Sequence, residues 1–190
     1  MSRRRLVAAA TAAFAVLLLA LVLSGHAVRN RPLPLTDASV IREQAAEKHL
    51  DPALIAAVIY AETKFDPRPS SAGAQGLMQI LPATAYYLAH LSGGSSFTAG
   101  DLGTPRINIA YGSYYLRYLL NHYNGNEVLA VAAYNGGLAN VDIWASRASE
   151  AGGELTVAGI PFPETRAYVQ RVLDAQQTYR ATYRHELGLG

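Results

Sequence analysis

One carboxyl in this chain stands where a carboxyl is costly. Glu62 follows Ile55, Val58 and Ile59 by seven, four and three residues, so a helix there projects it from an apolar face. A glutamate is almost never fully buried without a partner. Burial disfavours the charged form, and so does the negative end of a helix closing near Thr63. Both effects raise the pKa, and a carboxyl that stays protonated near neutral pH can act as a general acid. The plainer reading is a glutamate reaching for water from a helix end, and spacing alone weighs the two equally. The nearest acid along the chain, Asp66, lies past the helix and precedes Pro67, where capping or loop bonding is the expected job. A flanking pair of carboxylates is therefore not evident here.

Other chemistries find little support. The chain has no Cys, which removes thiol nucleophiles, disulfides and Cys-held metals. Its five His, at 26, 49, 90, 122 and 185, are scattered with no His-x-x-x-His pair, so neither a metal site nor a cofactor is expected. There is no Gly-rich phosphate loop, and no Ser-His-Asp grouping can be argued.

The elements that must position Glu62 read as helices and loops. Asp37 or Ser39 can cap a first helix to about residue 49, and Asp51-Pro52 gives a clear start for the helix Pro52–Thr63. Pro67, Pro69, Ser70, Ser71 and Gly73 make a loop of the kind that walls a cleft. Pro82 opens a helix to about residue 90, and 93–105 is a connection. A long helix over 106–123 carries Ile107, Ala110, Tyr114 and Leu120 at helical spacing. Residues 127–135 form a buried helix that stops at Gly136-Gly137. After a loop at about 151–163, residues 164–185 form the last helix, with Tyr168, Val172, Ala175 and Tyr179 on one stripe. The fold expected is mainly α.

Of the 190 residues, 51% are hydrophobic and 16% charged, which rules out disorder for most of the length. A net charge of +2 is too balanced for an electrostatic grip on nucleic acid. Three of the positive charges are Arg3, Arg4 and Arg5; without residues 1–27 the chain has 13 Lys and Arg against 14 Asp and Glu. The arginines precede 18 uncharged apolar residues, 6–23, a pattern that belongs to targeting rather than to the fold. We read it as a retained N-terminal hydrophobic anchor helix, because the run exceeds the roughly 7–15 residues of a usual signal core. The alternative is a signal cleaved near Ala27, after Gly25-His26. Either way the remainder is exported. The expected organisation is 1–27 anchor or signal, 28–38 spacer, and 39–187 the folded domain.

Four blocks give the sequence a family likeness. Ala61-Glu62-Thr63, Ser70, Gly76-Leu77-Met78-Gln79-Ile80, Pro82 and Thr84 resemble the catalytic motif of the family 23 lytic transglycosylases. Arg106, Asn108-Ile109 and Gly112 resemble that family's Asn-Ile helix, and Ala133-Tyr134-Asn135-Gly136-Gly137 its Ala-Tyr-Asn motif. Ile160-Pro161-Phe162-Pro163-Glu164-Thr165-Arg166, with Tyr168 and Val169, resembles its closing Glu-Thr-Arg-x-Tyr-Val motif. One block alone would be weak; four in the family's order are specific.

The resemblance implies a lysozyme-like transglycosylase fold, related to goose-type lysozyme. It also implies cleavage of the β-1,4 bond between N-acetylmuramic acid and N-acetylglucosamine in peptidoglycan, with formation of a 1,6-anhydromuramyl end. It makes Glu62 the single acid and base, with Ser70, Met78, Gln79, Tyr134, Asn135 and Glu164 on the substrate. In that scheme Gln79 offers an amide to sugar hydroxyls or N-acetyl groups and Met78 an apolar wall. Tyr134 approaches the reacting centre, Asn135 supports it, and Glu164 lines the cleft. The residues themselves allow plainer roles: Met78 and Ile80 as core, Tyr134 as one of 12 packing tyrosines, and Glu164 as a partner of its helix N-terminus. Tyr111, Tyr114, Tyr115 and Tyr118 cluster on the long helix, as core or with one or two stacked on sugars. The family's usual Ser after the acid is Thr63 here, which keeps the hydroxyl, and the short Glu-to-Gln spacing bears on how Ser70 is presented. Expected partners are glycan strands and, through 6–23, the membrane of a bacterial envelope. Hydrolysis by a goose-type muramidase and a weakly active wall-binding module are the rival readings.

Overall fold

The computed structural model describes residues 32–68, 70–93 and 97–190. The expected anchor, 6–23, lies outside them; among the described residues no helix is long and apolar enough to cross a membrane. Seven α-helices follow in order: α1 Ala38–Lys48, α2 Pro52–Thr63, α3 Pro82–Ser92, α4 Pro105–His122, α5 Glu127–Gly136, α6 Leu138–Glu150 and α7 Pro163–Thr182. Short 3-10 turns at Ala99–Gly103 and Val157–Gly159 precede α4 and α7.

Helix α2 is the hub. Ala53 through Ile59 are all buried, so the helix is apolar on every side and must be surrounded. Its most extensive partner is α7, and α1 also packs on it. Asp51 starts it as expected: one carboxylate oxygen accepts from the Ala53 amide at 2.9 Å. The other accepts from Gln176 Nε2 at 2.9 Å and Arg180 Nε at 2.8 Å, so the cap also ties α2 to α7. The expected stripe on α7 is present, with Tyr168, Val172, Ala175 and Tyr179 all buried.

Three local expectations fail. Asp37 sits at φ 53° and makes no side-chain cap, and Ser39 lies inside the helix, which buries Ile41, Gln44 and Ala45. On α4 the buried face is Asn108, Ile109, Gly112, Ser113, Leu116, Leu119 and Leu120, whereas Ile107, Ala110 and Tyr114 are half-exposed. Helix α6, to which the sequence reading assigns no element, starts at Gly137 directly after α5 and buries Val141 and Trp144.

The ends of the compact unit Leu33–Gly190 are fastened to the same helix or its neighbours. Tyr179 Oη donates to the Pro34 carbonyl at 2.6 Å and Tyr183 Oη to that of Leu33 at 2.5 Å. Leu33 and Leu35 pack against the core, and so does the buried Leu187 near the other end.

Candidate active site

Glu62 lies in the last turn of α2, half-buried, where the apolar helix meets a hollow of about 400 Å³. The hollow is lined by Ala61, Glu62, Thr63, Lys64, Asp66, Arg68 and Gln79. Burial pushes the Glu62 carboxyl up from 4.5 to about 7. A hydrogen bond from Tyr168 Oη, 2.7 Å from Glu62 Oε1, and the charge of Arg171 pull it partly back. The carboxyl is therefore poised to hold or release a proton near neutrality. Asp66 shares the hollow but is exposed and paired with Arg68 at 2.7 Å.

The opposite wall is a loop whose shape is dictated from beneath. Gln75 and Ile80 exchange two backbone bonds of 3.0 Å, pinching residues 76–79 into a tight turn. The buried Asn108 on α4 fills the turn: it accepts from the Met78 amide at 2.8 Å and donates to the carbonyls of Gln75 at 2.8 Å and Leu102 at 3.1 Å. Gly76 has φ +73°, and a Cβ there would meet Asn108 Nδ2 at 2.1 Å. Thr63 joins the two walls, since its hydroxyl donates to the Leu77 carbonyl at 2.8 Å and lies 3.2 Å from that of Ile59. The hydroxyl, common to Thr and Ser, is what that bond needs.

The structure places the expected site residues unevenly. Gln79, held at φ 49°, faces the hollow, but its amide nitrogen donates to the carbonyls of Gly76 at 2.9 Å and Arg68 at 3.1 Å. The loop thus uses its donors, leaving the side-chain carbonyl as the group to offer. The Met78 side chain is fully buried against Gly112, where a Cβ would come within 2.3 Å of its sulfur. Tyr134 Oη donates to the Met78 carbonyl at 2.9 Å, and its phenol is pushed up by burial first and by the Glu62 charge second. That bond, rather than the exposed Asn135, fixes the tyrosine. Ser70 Oγ accepts from the Ala74 amide at 2.9 Å and closes its own turn. Glu164 is exposed in the first turn of α7.

Tyr168, Thr63 and Asn108 are the residues that sequence reasoning did not place in the site. A signal existed for Tyr168: a tyrosine on a buried stripe needs a partner for its hydroxyl, and a lone buried Glu is such a partner. A larger hollow of about 690 Å³, among Lys48, Tyr111, Tyr114 and Arg117, shares none of the lining at Glu62.

Residues 39–157 match the transglycosylase SLT domain, and 159–189 match the soluble lytic transglycosylase helical domain. The chain belongs to the transglycosylase SLT domain family. It is 37% identical over 135 residues to the soluble lytic murein transglycosylase of Salmonella typhimurium, covering 70% of this chain and 20% of that one. The Escherichia coli K12 protein of the same name is 32% identical over 166 residues, covering 86% and 25%. The crystal structure of the 70-kDa soluble lytic transglycosylase from Escherichia coli superposes with a TM-score of 0.74 at 29% identity, over 83% of this chain and 26% of that one. Lytic transglycosylase Slt from Pseudomonas aeruginosa, solved as an inactive mutant, gives 0.71 at 31% identity over 80% and 25%. The chain thus spans about a quarter or less of the length of these relatives, and its mainly α fold is the lysozyme-like one they contain.

Proposed function

We propose that this chain is a peptidoglycan lytic transglycosylase, cleaving the β-1,4 bond between N-acetylmuramic acid and N-acetylglucosamine. The observation that carries the reading is Glu62: a carboxyl raised to about 7, hydrogen-bonded by Tyr168 and opening on a hollow walled by Gln79. Glu62 first gives its proton to the O4 of the departing N-acetylglucosamine as the C1–O4 bond of N-acetylmuramic acid breaks. The sugar's own N-acetyl oxygen assists at C1. The Glu62 carboxylate then takes the proton from the C6 hydroxyl, whose oxygen bonds to C1 and closes the 1,6-anhydro ring. No water is consumed and Glu62 ends protonated, ready for the next bond. An internal nucleophile has a large effective concentration if the ring is held in place. Tyr168 and Arg171 stabilise the carboxylate between the two proton transfers. Gln79, Tyr134, Ser70, Asn135 and Glu164 are assigned to holding the sugars, with Met78 supporting the wall from beneath.

Asp66 favours internal attack over hydrolysis. An exposed acid already paired with Arg68 is poorly placed to hold and activate a water. Digestion of purified peptidoglycan followed by mass spectrometry and borohydride reduction decides between the two. We expect muropeptides one water lighter than hydrolysis products, with ends that borohydride does not reduce. Abundant reducible muramic acid ends would replace this reading with a muramidase, and absence of any cleavage would leave a wall-binding module.

The cell envelope is the proposed location, with residues 1–27 holding the domain on the extracytoplasmic side of the membrane, 28–38 as spacer and 39–187 as the catalytic domain. The positive and apolar pattern of 3–23 supports this. So does the likeness, 29% identity over 163 residues, to the membrane-bound lytic murein transglycosylase C of Salmonella typhi. Fractionation of cells should find the full-length chain in the membrane; a soluble form beginning at Val28 would show a cleaved signal.

A further inference from the structure

The larger hollow, of about 690 Å³, lies on the far side of α4 from the catalytic turn. Its floor is Ala110, Tyr114, Arg117 and Asn121, spaced i, i+4, i+7 and i+11 along one helical face. Asn108 and Gly112, which shape the 75–80 turn, point about half a turn away from that face. The end of α1 and Leu88 of α3 form the sides. The cations here are engaged by the fold. Arg117 donates from Nε to the Lys48 carbonyl at 2.7 Å and from a terminal nitrogen to that of His49, closing the end of α1. Lys48 Nζ lies 2.6 Å from Gln44 Oε1 and 3.2 Å from the Glu47 carboxylate, its side chain only 11% exposed. The phenols are not engaged in this way. Tyr111 and Tyr114 are half-buried, and neither hydroxyl bonds another described residue. Phe97 packs on the Tyr111 ring, with centroids 4.5 Å apart, and holds it in place.

We propose that this hollow is a second glycan-binding site, which grips a β-1,4-linked N-acetylhexosamine strand and does not cut it. The choice of ligand rests on the transglycosylase reading above; the site adds a hold on the wall outside the catalytic hollow. With Lys48 and Arg117 bound to groups of α1, what remains on offer is neutral. It consists of two phenols, the Asn121 amide and the apolar surface of Leu88 and Ala110. A sugar ring has apolar C–H faces for the aromatic rings, and hydroxyls and an N-acetyl amide for the polar groups. An acidic polymer would have to draw Lys48 and Arg117 away from the partners that already hold them. The volume falls within the roughly 300–1,000 Å³ of small-ligand sites. The one acid in the lining, Glu47, is paired with Lys48, so the hollow has no counterpart of Glu62. Because its floor and the catalytic turn face opposite sides of α4, a strand held here is not the stretch at Glu62. Two holds on one wall keep glycan at a high effective concentration near Glu62 after each cut.

Co-sedimentation of the full chain carrying Glu62→Gln with purified peptidoglycan tests this. Two substitutions are added to that background: Ala110→Trp, which fills the floor, and Tyr114→Ala, which removes a ring. Each should weaken binding by about threefold to tenfold. A melting curve for each variant checks the fold, and if the larger side chain prevents folding, Tyr114→Ala decides. The same loss is expected on peptidoglycan freed of stem peptides by an amidase and on peptidoglycan freed of anionic polymers by acid. Unchanged binding in the folded variants overturns the site. A loss confined to wall that keeps its peptides overturns glycan as the occupant and gives the hollow to peptide. A loss confined to wall that keeps its anionic polymers overturns it in favour of those polymers. The reading beneath it fails separately, if wild-type chain releases no anhydro ends from peptidoglycan.

Discussion

A carboxyl raised to about 7 has consequences for both rate and stability. As the acid, Glu62 must be protonated, so kcat/KM should fall as pH rises through about 7. Tyr168 donates to the carboxylate and lowers that value, so Tyr168→Phe should move the alkaline limb of the profile upward while keeping the buried ring. A limb that stays in place would remove Tyr168 from the proton's control. Stability falls in the same direction. Because the folded pKa lies above the unfolded one, the folded chain keeps a proton that the unfolded chain has lost between about pH 4.5 and 7. Glu62 therefore becomes progressively more destabilising across that window as pH rises, and fully so above it. Glu62→Gln should abolish turnover. It should also raise stability by up to about 3 kcal/mol at pH 8 with little change at pH 4. Denaturant melts at the two pH values check the second half, and peptidoglycan turbidity the first; retained activity would remove Glu62 from the role of acid. A residue that stabilises the fold when lost and silences the enzyme at the same time is one the structure keeps for chemistry.

Helix α4 sets the shape of the site without lining the hollow at Glu62. Gly112 gives the Met78 side chain its place, so Gly112→Ala should push the 75–80 turn outward. We expect a loss of about tenfold or more in kcat/KM, with about 1–3 kcal/mol of stability. Asn108→Asp would set a carboxylate against the carbonyls of Gln75 and Leu102, and should cost about 2–4 kcal/mol in a thermal melt. These two positions also mark where the sequence was hard to read. Helix α2 was legible because Asp51-Pro52 is a strong start and its apolar run is continuous. The α7 stripe was legible because large apolar residues recur at helical spacing. On α4, the inward face includes Asn, Gly and Ser, which hydrophobicity does not mark, so the reading settled on a neighbouring stripe. Helix α6 was missed because its start, Gly137, has no capping side chain and merges with the end of α5. In the site, Glu62 and Gln79 stood out by chemistry and motif. The bonds that fix them, from Tyr168, Thr63 and Asn108, join residues 14 to 106 positions apart and exist only once the helices pack.

At the scale of the whole molecule, the fastening of Leu33 and Pro34 to α7 makes the stretch before α1 part of the fold's stability. A chain beginning at Ala38 would leave the hydroxyl of the buried Tyr179 without its carbonyl and lose the packing of Leu33 and Leu35. Against one beginning at Pro32, it should be less stable by about 2–4 kcal/mol in a denaturant melt; equal stability would mean the clasp contributes nothing. The same helix carries both the clasp and the bond to Glu62. Tyr168 and Tyr179 lie on one stripe, about 17 Å apart at the helical rise. The clasp at Leu33 and Pro34 and the hydroxyl that bonds Glu62 are thus mounted on one rigid rod. Wherever Leu33 is held, α7 acts as a ruler, and on the proposed function any bond acted on by Glu62 would be met at a set stand-off from Leu33.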